Sequence, residues 1–228
     1  MINMKRLWVF GDNNSAIFGK TKERRFKYYK EYRGGIFPKS WSELLSKELG
    51  TELKNMAVSG QSNYDIFDMF CRCVEQIQKD DIVIIGWGYV QRFRLVDETT
   101  NGFVTIRPNQ FKPEHIDNPA LLNGININVV NSILNNRTNT EWVNEVYNWE
   151  TIINLLAKLI GFRILYWTFD STLNRKHYIS TNDFRTDLIN RGAEDITWET
   201  NGKLIDDNFG EKGQLVQFEY FLNHINLK

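Results

Sequence analysis

A carboxylate, a hydroxyl and an imidazole are the side chains in this sequence that could together carry out acyl transfer. Asp12 and Ser15 follow the apolar run at 7–10, and His177 follows a later run at 163–169. A serine hydroxyl becomes a nucleophile when a base within hydrogen-bond reach takes its proton, and histidine is the usual base. Asp12 could instead orient a water molecule directly. The structural alternative for Asp12 and Ser15 is a role in a turn. The structural alternative for His177 is a position in a surface loop.

Aromatic residues and an arginine follow the clearest apolar run of the chain, DIVIIG at 81–86. Trp87, Gly88, Tyr89 and Arg92 lie in the segment WGYVQR. The two rings could form the wall of a ligand pocket, and a guanidinium can bind a carboxylate or phosphate through two parallel hydrogen bonds. The alternative is an aromatic pair that covers the core, with Arg92 paired to an acidic neighbour.

A basic and aromatic segment, residues 19–39, is a second candidate binding surface. It contains eight Lys and Arg residues against two Glu, with adjacent Arg24 and Arg25 and interleaved tyrosines. Such a composition suits a nucleotide, a nucleic acid or a glycan, and it also occurs in solvated charged loops. Because 28 basic residues balance 28 acidic ones over the whole chain, general polyanion binding is not expected.

Histidine and cysteine are scarce, so we expect neither a metal site nor a cofactor. The chain has three histidines and two cysteines, and the cysteines, Cys71 and Cys73, would point to different faces of a helix. His115 lies in the long segment after the third predicted strand, and like His177 it could reach a pocket at the sheet edge.

The elements that must position these residues alternate along the chain. Short strands are predicted at 7–10, 53–58, 81–86 and 163–169, with helical patterns at 40–50, 66–77, 140–159 and 213–227. Ser40 to Glu43 has the pattern of a capping box at a helix start. This alternation predicts a three-layer α/β/α sandwich with a mostly parallel sheet. The carboxyl ends of parallel strands share one edge, which would bring segments 11–15, 59–63, 86–92 and 170–177 together.

Length and composition indicate one ordinary globular domain over residues 1–228. The chain of 26.9 kDa is 42% apolar and 25% charged, without a linker-like stretch. Residues 87–119, with three of the four prolines, are expected to form a long irregular loop, either a lid or a partner surface. No apolar run suits a signal peptide or a membrane span, so a cytoplasmic location with no membrane partner is expected.

Four blocks of sequence resemble the SGNH (GDSL-type) hydrolase family, in the family's order and across almost the whole chain. They are WVFGDNNSA, NMAVSGQSNYDIF, DIVIIGWGYVQR and DDNFGEKGQLVQFEYF, beginning near residues 8, 55, 81 and 206. The resemblance implies a flavodoxin-like fold with five parallel strands, the fifth expected near Ile196–Trp198. It also implies a site built from Asp12, an oxyanion-hole amide at Gly60, and Asp206 or Asp207. The first and last blocks look like those of phage-encoded relatives.

The positions at which the chain departs from the family pattern concern the catalytic side chains. Asn13 stands where the family has its nucleophilic serine, and Asn208 where it has its histidine. Gly88 replaces the asparagine of the third block, and Gln214 replaces a further histidine. An amide is not basic and forms no acyl-enzyme, so the expected Ser–His pair is absent.

We therefore expect a catalytically impaired or pseudo-hydrolase that binds an ester, an acetylated glycan or a nucleotide-like ligand. Two alternatives remain open. One is an active esterase, acyl hydrolase or transferase with a rearranged site of Asp12, Ser15 and His177. The other is an interaction protein that binds an anionic partner, including nucleic acid, through the segment 19–39.

Overall fold

The computed structural model describes most of the regular part of the chain. The described residues are 5–12, 15–17, 39–97, 102–106, 127–170, 172–173, 175, 178–179, 199–200, 203–204 and 211–226. The strands are β1 (Arg6–Gly11), β2 (Glu52–Asn55), β3 (Ile82–Trp87), β4 (Phe93–Asp97), β5 (Gly102–Ile106), β6 (Arg163–Thr168), β7 (Glu199–Thr200) and β8 (Lys203–Leu204). The helices are α1 (Trp41–Leu49), α2 (Asn63–Cys73), α3 (Ile127–Asn136), α4 (Asn139–Ile160) and α5 (Glu211–Asn226), with one 3₁₀ turn at Val74–Gln76.

The main sheet is parallel wherever the structure describes it. Its strand order is β2-β1-β3-β6, and each neighbouring pair is parallel. When the four strands of this sheet are numbered in chain order, their spatial order is 2-1-3-4, the order with which a flavodoxin-like sheet begins. The four strands predicted from apolar runs are thus confirmed. The fifth strand, expected at 196–198, lies outside the described residues.

Alternate residues of the strands face two separate apolar layers. Trp8, Phe10, Val83 and Ile85 pack on one face among residues of α2 and α4. Val9, Ile84, Leu165 and Trp167 pack on the other face with residues of α1 and α5. Since side chains alternate across a strand, a run with no polar residue is what a sheet covered on both sides requires. The predicted three-layer α/β/α architecture is confirmed.

Three of the described helices, α1, α2 and α4, begin at capping boxes that are local in sequence. Ser40 accepts a hydrogen bond from the Glu43 amide, and the Glu43 carboxylate accepts one from the Ser40 amide. The same reciprocal pattern opens α2 at Ser62 and α4 at Thr138. The two hydrogen bonds of a capping box pair two backbone amides that would otherwise have no partner at the start of the helix. The predicted start of α1 is therefore confirmed, and its end at Gly50 is left-handed as a C-cap requires.

The expectation of an irregular loop over 87–119 is wrong for part of that range. Strands β4 and β5 form an antiparallel hairpin, with Phe93 opposite Ile106 and Asp97 opposite Gly102. The two strand sequences, FRLVD and GFVTI, contain the apolar and β-branched residues that are common in strands. Within the described residues, no helix is both long enough and apolar enough to cross a membrane.

Candidate functional site

The carboxyl ends of the central strands meet at one edge of the sheet, as predicted. Gly11 at the end of β1 is level with Gly86 of β3, and Gly86 is level with Trp167 of β6. The residues that follow these positions enclose a small cavity with room for about one water molecule. Asp12, Gly88 and Asp170 are among the residues that line it.

A buried ion pair joins two of the predicted site residues. Nη1 of Arg92 donates a hydrogen bond of 2.8 Å to Oδ2 of Asp12, and the side chains are 11% and 9% exposed. The guanidinium also lies 5.0 Å from the centre of the Tyr89 ring, which is 53% exposed. The charge of the Asp12 carboxylate is therefore balanced by the Arg92 guanidinium. The pairing of Arg92 with an acidic neighbour was one of the two alternatives that the sequence left open.

The backbone at Gly88 is held against this ion pair by an asparagine. The Gly88 amide donates to Oδ1 of Asn63 at 2.7 Å, and Nδ2 of Asn63 donates to the Gly88 carbonyl at 3.1 Å. A Cβ at Gly88 would lie 3.5 Å from Oδ2 of Asp12 and from Nη1 of Arg92. Gly88, which the sequence resemblance aligns with the asparagine of the third block, thus lies directly beside Asp12.

Ser15 lies beneath the site and has no exposed surface. Its amide donates to the Asp12 carbonyl at 3.0 Å, and its own carbonyl accepts from Nδ2 of Asn55 at 2.7 Å. Its Oγ is packed against the backbone of Gly11 and Gly86, close enough to leave no space for a side chain on either glycine. This burial disfavours Ser15 as a nucleophile and favours its structural role in the turn.

Replacing Gly86 with alanine is expected to destabilise the protein by about 1–3 kcal/mol, because the new methyl group overpacks the core. Its Cβ would lie 2.6 Å from Oγ of Ser15 and 2.6 Å from Nε1 of Trp167. Gly88→Ala is the matched control, since its nearest atoms are 3.5 Å away. Urea unfolding of both variants measures the difference. Equal stability of the two variants would contradict the packing described here.

Asp170 connects the segment after β6 to the segment after β3. Its Oδ2 accepts a hydrogen bond of 2.8 Å from the Val90 amide, and its Oδ1 accepts from the Thr172 amide and hydroxyl at 2.9 and 2.6 Å. From the sequence, this residue was expected only as the first residue of the candidate segment 170–177. An aspartate two residues beyond the end of a strand was the signal that could have identified it.

Glu150 is a buried carboxylate beside the site that sequence analysis missed. It lies in the middle of α4 and is 0% exposed, and its Oε1 accepts from Nε1 of Trp87 at 2.9 Å and from the Tyr178 hydroxyl. Arg175 lies 3.8 Å from its Oε2. Burial, and then the charge of Glu150, raise the pKa of Tyr166 and of Tyr178 well above the usual range. Both hydroxyls therefore remain protonated donors.

The other predicted site residues divide into those with a described position and those without. Gly60 is buried, with a φ of +86° that favours glycine, in the turn that precedes α2. Gln214 is structural, because its Oε1 accepts from the Trp41 amide at 2.7 Å and so joins α5 to α1. The predicted site residues that lie outside the described residues are Asn13, Arg24, Arg25, His177, Asp206, Asp207 and Asn208.

A larger cavity of about 400 Å³ adjoins the ion pair and lies between α2, β4 and the first half of α4. We call it the arginine–aromatic cavity. Its aromatic lining is Tyr64, Phe93, Trp142 and Trp149, and its polar lining is Asn63, Arg92, Arg94, Arg137 and Glu145. In the part of the chain that the structure describes, no group of three or more His, Cys, Asp or Glu side chains could hold a metal ion.

Comparison with known proteins gives likenesses among solved structures. No family model matches the chain, and no curated protein matches it. The protein YxiM from Bacillus subtilis aligns over 98% of this chain with 12% identity and a TM-score of 0.49, and the chain spans 56% of that protein's length. A member of the lipolytic G-D-S-L family from Veillonella parvula aligns over 97% of this chain and 98% of its own, with 13% identity and a TM-score of 0.44.

A third structure is a carbohydrate esterase described as having an active site with divergent catalytic and non-catalytic binding functions. It aligns over 98% of this chain and 69% of its own, with 12% identity and a TM-score of 0.42. Because all three TM-scores are below 0.5, the fold assignment rests on the strand order of the sheet itself.

Proposed function

We propose that this SGNH-hydrolase-like protein binds its ligand at the strand edge without forming an acyl-enzyme. The observation that carries the proposal is the buried ion pair of Asp12 and Arg92. Asp12 directly precedes Asn13 in the chain. Oδ2 of Asp12 already accepts a hydrogen bond from the Arg92 guanidinium, so this oxygen is less available to take a proton from a water molecule or a hydroxyl. The neighbouring carboxamide has no nucleophilic oxygen that could replace a serine hydroxyl.

The described surroundings of the pair support binding rather than covalent catalysis. Ser15, the nearby hydroxyl of the rearranged-site alternative, is fully buried below the sheet edge. Arg92 and the buried Gly60 turn remain as groups suited to hold a carbonyl oxygen or an anion. The ligand classes that we propose on this basis are an ester, an acetylated glycan or a nucleotide-like molecule. A partner bound through residues 19–39 remains a separate prediction.

The test is turnover of short-chain acyl esters, together with labelling by a fluorophosphonate probe. We expect the unaltered protein to show neither, because loss of a nucleophile or its base costs on the order of 10⁴–10⁶ in rate. The double variant Asn13→Ser with Asn208→His is expected to gain labelling, and Asn13→Ser alone is its control.

Two results would contradict the proposal. One is ester turnover by the unaltered protein that is abolished by Ser15→Ala or His177→Ala, which would support the rearranged site. The other is a folded double variant that remains unlabelled, which would show that residues 13 and 208 do not occupy the positions of the family's serine and histidine.

A further inference from the structure

We propose that a series of aromatic side chains forms a relay that carries an oxidising equivalent from the protein surface to a buried tyrosine. Every ring of the relay belongs to tyrosine or tryptophan, the two aromatic side chains that lose an electron most easily. In order from the surface inward, the rings are Tyr64, Trp149, Trp87, Tyr166 and Tyr178. The reaction partner is a diffusible one-electron oxidant, such as a radical derived from a peroxide.

The rings of the relay form an unbroken series of contacts. The ring centres are 6.0 Å apart from Tyr64 to Trp149 and 6.2 Å apart from Trp149 to Trp87. They are 6.4 Å apart from Trp87 to Tyr166, whose planes are nearly parallel, and 6.0 Å apart from Tyr166 to Tyr178. Ring centres about 4.5–7 Å apart are typical of aromatic pairs in contact. An electron can therefore pass from each ring to the next.

The two ends of the relay differ in exposure. Tyr64 is 43% exposed and is accessible to an oxidant in solution, whereas Tyr166 and Tyr178 are buried. A second aromatic series in the same apolar layer consists of Trp8, Phe10, Phe70 and Phe162. That series cannot act as a relay, because phenylalanine resists one-electron oxidation. The choice of tyrosine and tryptophan thus distinguishes the relay from ordinary core packing.

A carboxylate lies at the buried end of the relay, where a proton must be accepted. Oε1 of Glu150 accepts hydrogen bonds from Nε1 of Trp87 and from the Tyr178 hydroxyl. Loss of an electron makes either donor strongly acidic, and a carboxylate within hydrogen-bond reach can take the proton. The Tyr166 hydroxyl has only carbonyl oxygens as acceptors among these contacts, from Asn154 and the Glu150 backbone, and these are weak bases. Since a tyrosine that loses its proton with its electron is easier to oxidise than tryptophan, the oxidising equivalent comes to rest on Tyr178.

Charges along the relay favour the same direction. The guanidinium of Arg94 lies 3.7 Å from the centre of the Tyr64 ring, and a cation there disfavours a positive charge on that ring. The Glu150 carboxylate favours a positive charge at the other end. Both groups have counter-ions: Asp65 lies 3.3 Å from Arg94. Arg175 lies 3.8 Å from Glu150. The electrostatic difference therefore adds to the effect of the proton acceptor and does not replace it.

One electron and one proton move in the proposed oxidation. The external oxidant takes an electron from Tyr64 or Trp149 and is thereby reduced. Electrons then pass outward from ring to ring until Tyr178 has lost one electron, and as its O–H bond breaks the proton moves to Oε1 of Glu150. The products are a neutral tyrosyl radical, a protonated carboxyl group and the reduced oxidant. An oxidising equivalent that reaches Trp87, which lines the small cavity at the strand edge, thus does not remain there.

A ruthenium polypyridyl photo-oxidant attached to Cys71 of the full chain provides the test. Cys71 is exposed, whereas Cys73 is buried, so a thiol reagent labels the first of them. Cys71 also lies on the same helix as Tyr64, roughly two turns further along and hence on the same face. A light flash with a soluble quencher produces ruthenium(III) at this position. Electron paramagnetic resonance of samples frozen after the flash identifies the radical.

We expect a tyrosyl signal in the labelled but otherwise unaltered protein. Trp149→Phe interrupts the relay, so its tyrosyl signal should be lost. Tyr178→Phe removes the end of the relay, so a tryptophanyl signal should replace the tyrosyl one. Tyr220→Phe is the matched control, because Tyr220 packs in the apolar layer on the other face of the sheet, and it should retain the tyrosyl signal.

Glu150→Gln separates proton acceptance from packing. Glutamine keeps an oxygen that accepts hydrogen bonds but is not basic, so the tyrosyl signal should be lost while the protein remains folded by circular dichroism. A tyrosyl signal that is unchanged in Trp149→Phe, in Tyr178→Phe or in Glu150→Gln would overturn the inference. If Tyr178→Phe fails to fold, the other two variants decide. No measurement here uses ester turnover or fluorophosphonate labelling, so the result is independent of the proposed function.

Discussion

Replacing Arg92 with methionine is expected to lower the free energy of unfolding by about 3–5 kcal/mol. The reason is the carboxylate that remains: Asp12 is 6% exposed, and without the guanidinium it would be a charge buried with its principal counter-ion removed. Methionine retains most of the buried length of the arginine side chain, so lost packing contributes little. Urea unfolding, followed by tryptophan fluorescence, measures the change.

Two comparisons isolate the ion pair from other effects of this substitution. In the double variant Asp12→Asn with Arg92→Met, the buried charge is gone, and we expect it to recover a large part of the lost stability. Arg72→Met removes an exposed pair, 68% and 32% exposed at its two side chains, and we expect a loss below about 1 kcal/mol. If Arg92→Met were no more destabilising than Arg72→Met, the buried pair would not exist as described.

Replacing Glu150 with leucine is expected to destabilise the protein by a similar amount, about 3–5 kcal/mol. The carboxylate is the acceptor for two buried donors, Nε1 of Trp87 and the Tyr178 hydroxyl, and leucine would leave both without that partner. Each such donor costs about 1–3 kcal/mol when it is buried and unpaired. The end of β3 and the segment around Tyr178 would lose their shared attachment to α4.

A glutamine at position 150 distinguishes hydrogen bonding from charge. Its amide oxygen can still accept from Trp87, so Glu150→Gln is expected to cost much less than Glu150→Leu. Glu145→Leu is the control on the same helix, because Glu145 is 37% exposed at the side chain and pairs with a half-exposed arginine. Equal losses for Glu150→Leu and Glu145→Leu, measured by urea unfolding, would contradict the buried network.

The two substitutions also separate the parts of the site. Arg92 is part of the proposed binding surface, so Arg92→Met should reduce ligand affinity as well as stability. Glu150 is buried and is not among the cavity residues, so its role is to position Trp87 and the segment after β6. A stable Glu150→Gln variant should therefore retain most of its ligand affinity.

The features that the sequence predicted correctly depend on residues close together in the chain. Four consecutive β-branched residues at Ile82–Ile85 require cover on both faces of a strand, and the capping box at Ser40 and Glu43 spans four residues. Such patterns act through local backbone geometry and the alternation of side chains. The hairpin of β4 and β5 was not predicted, because its strands have weak alternation and three prolines elsewhere in the range favoured a loop.

The chemistry of the site was decided by contacts between distant residues. Asp12 and Arg92 are 80 residues apart, and Glu150 meets Trp87 and Tyr178 from 63 and 28 residues away. The sequence by itself determined which side chains were present: a carboxamide at position 13, another at 208, and an aspartate after the first strand. Only the tertiary structure decided that this aspartate is neutralised and that Ser15 is buried, because burial and charge pairing depend on which elements pack together.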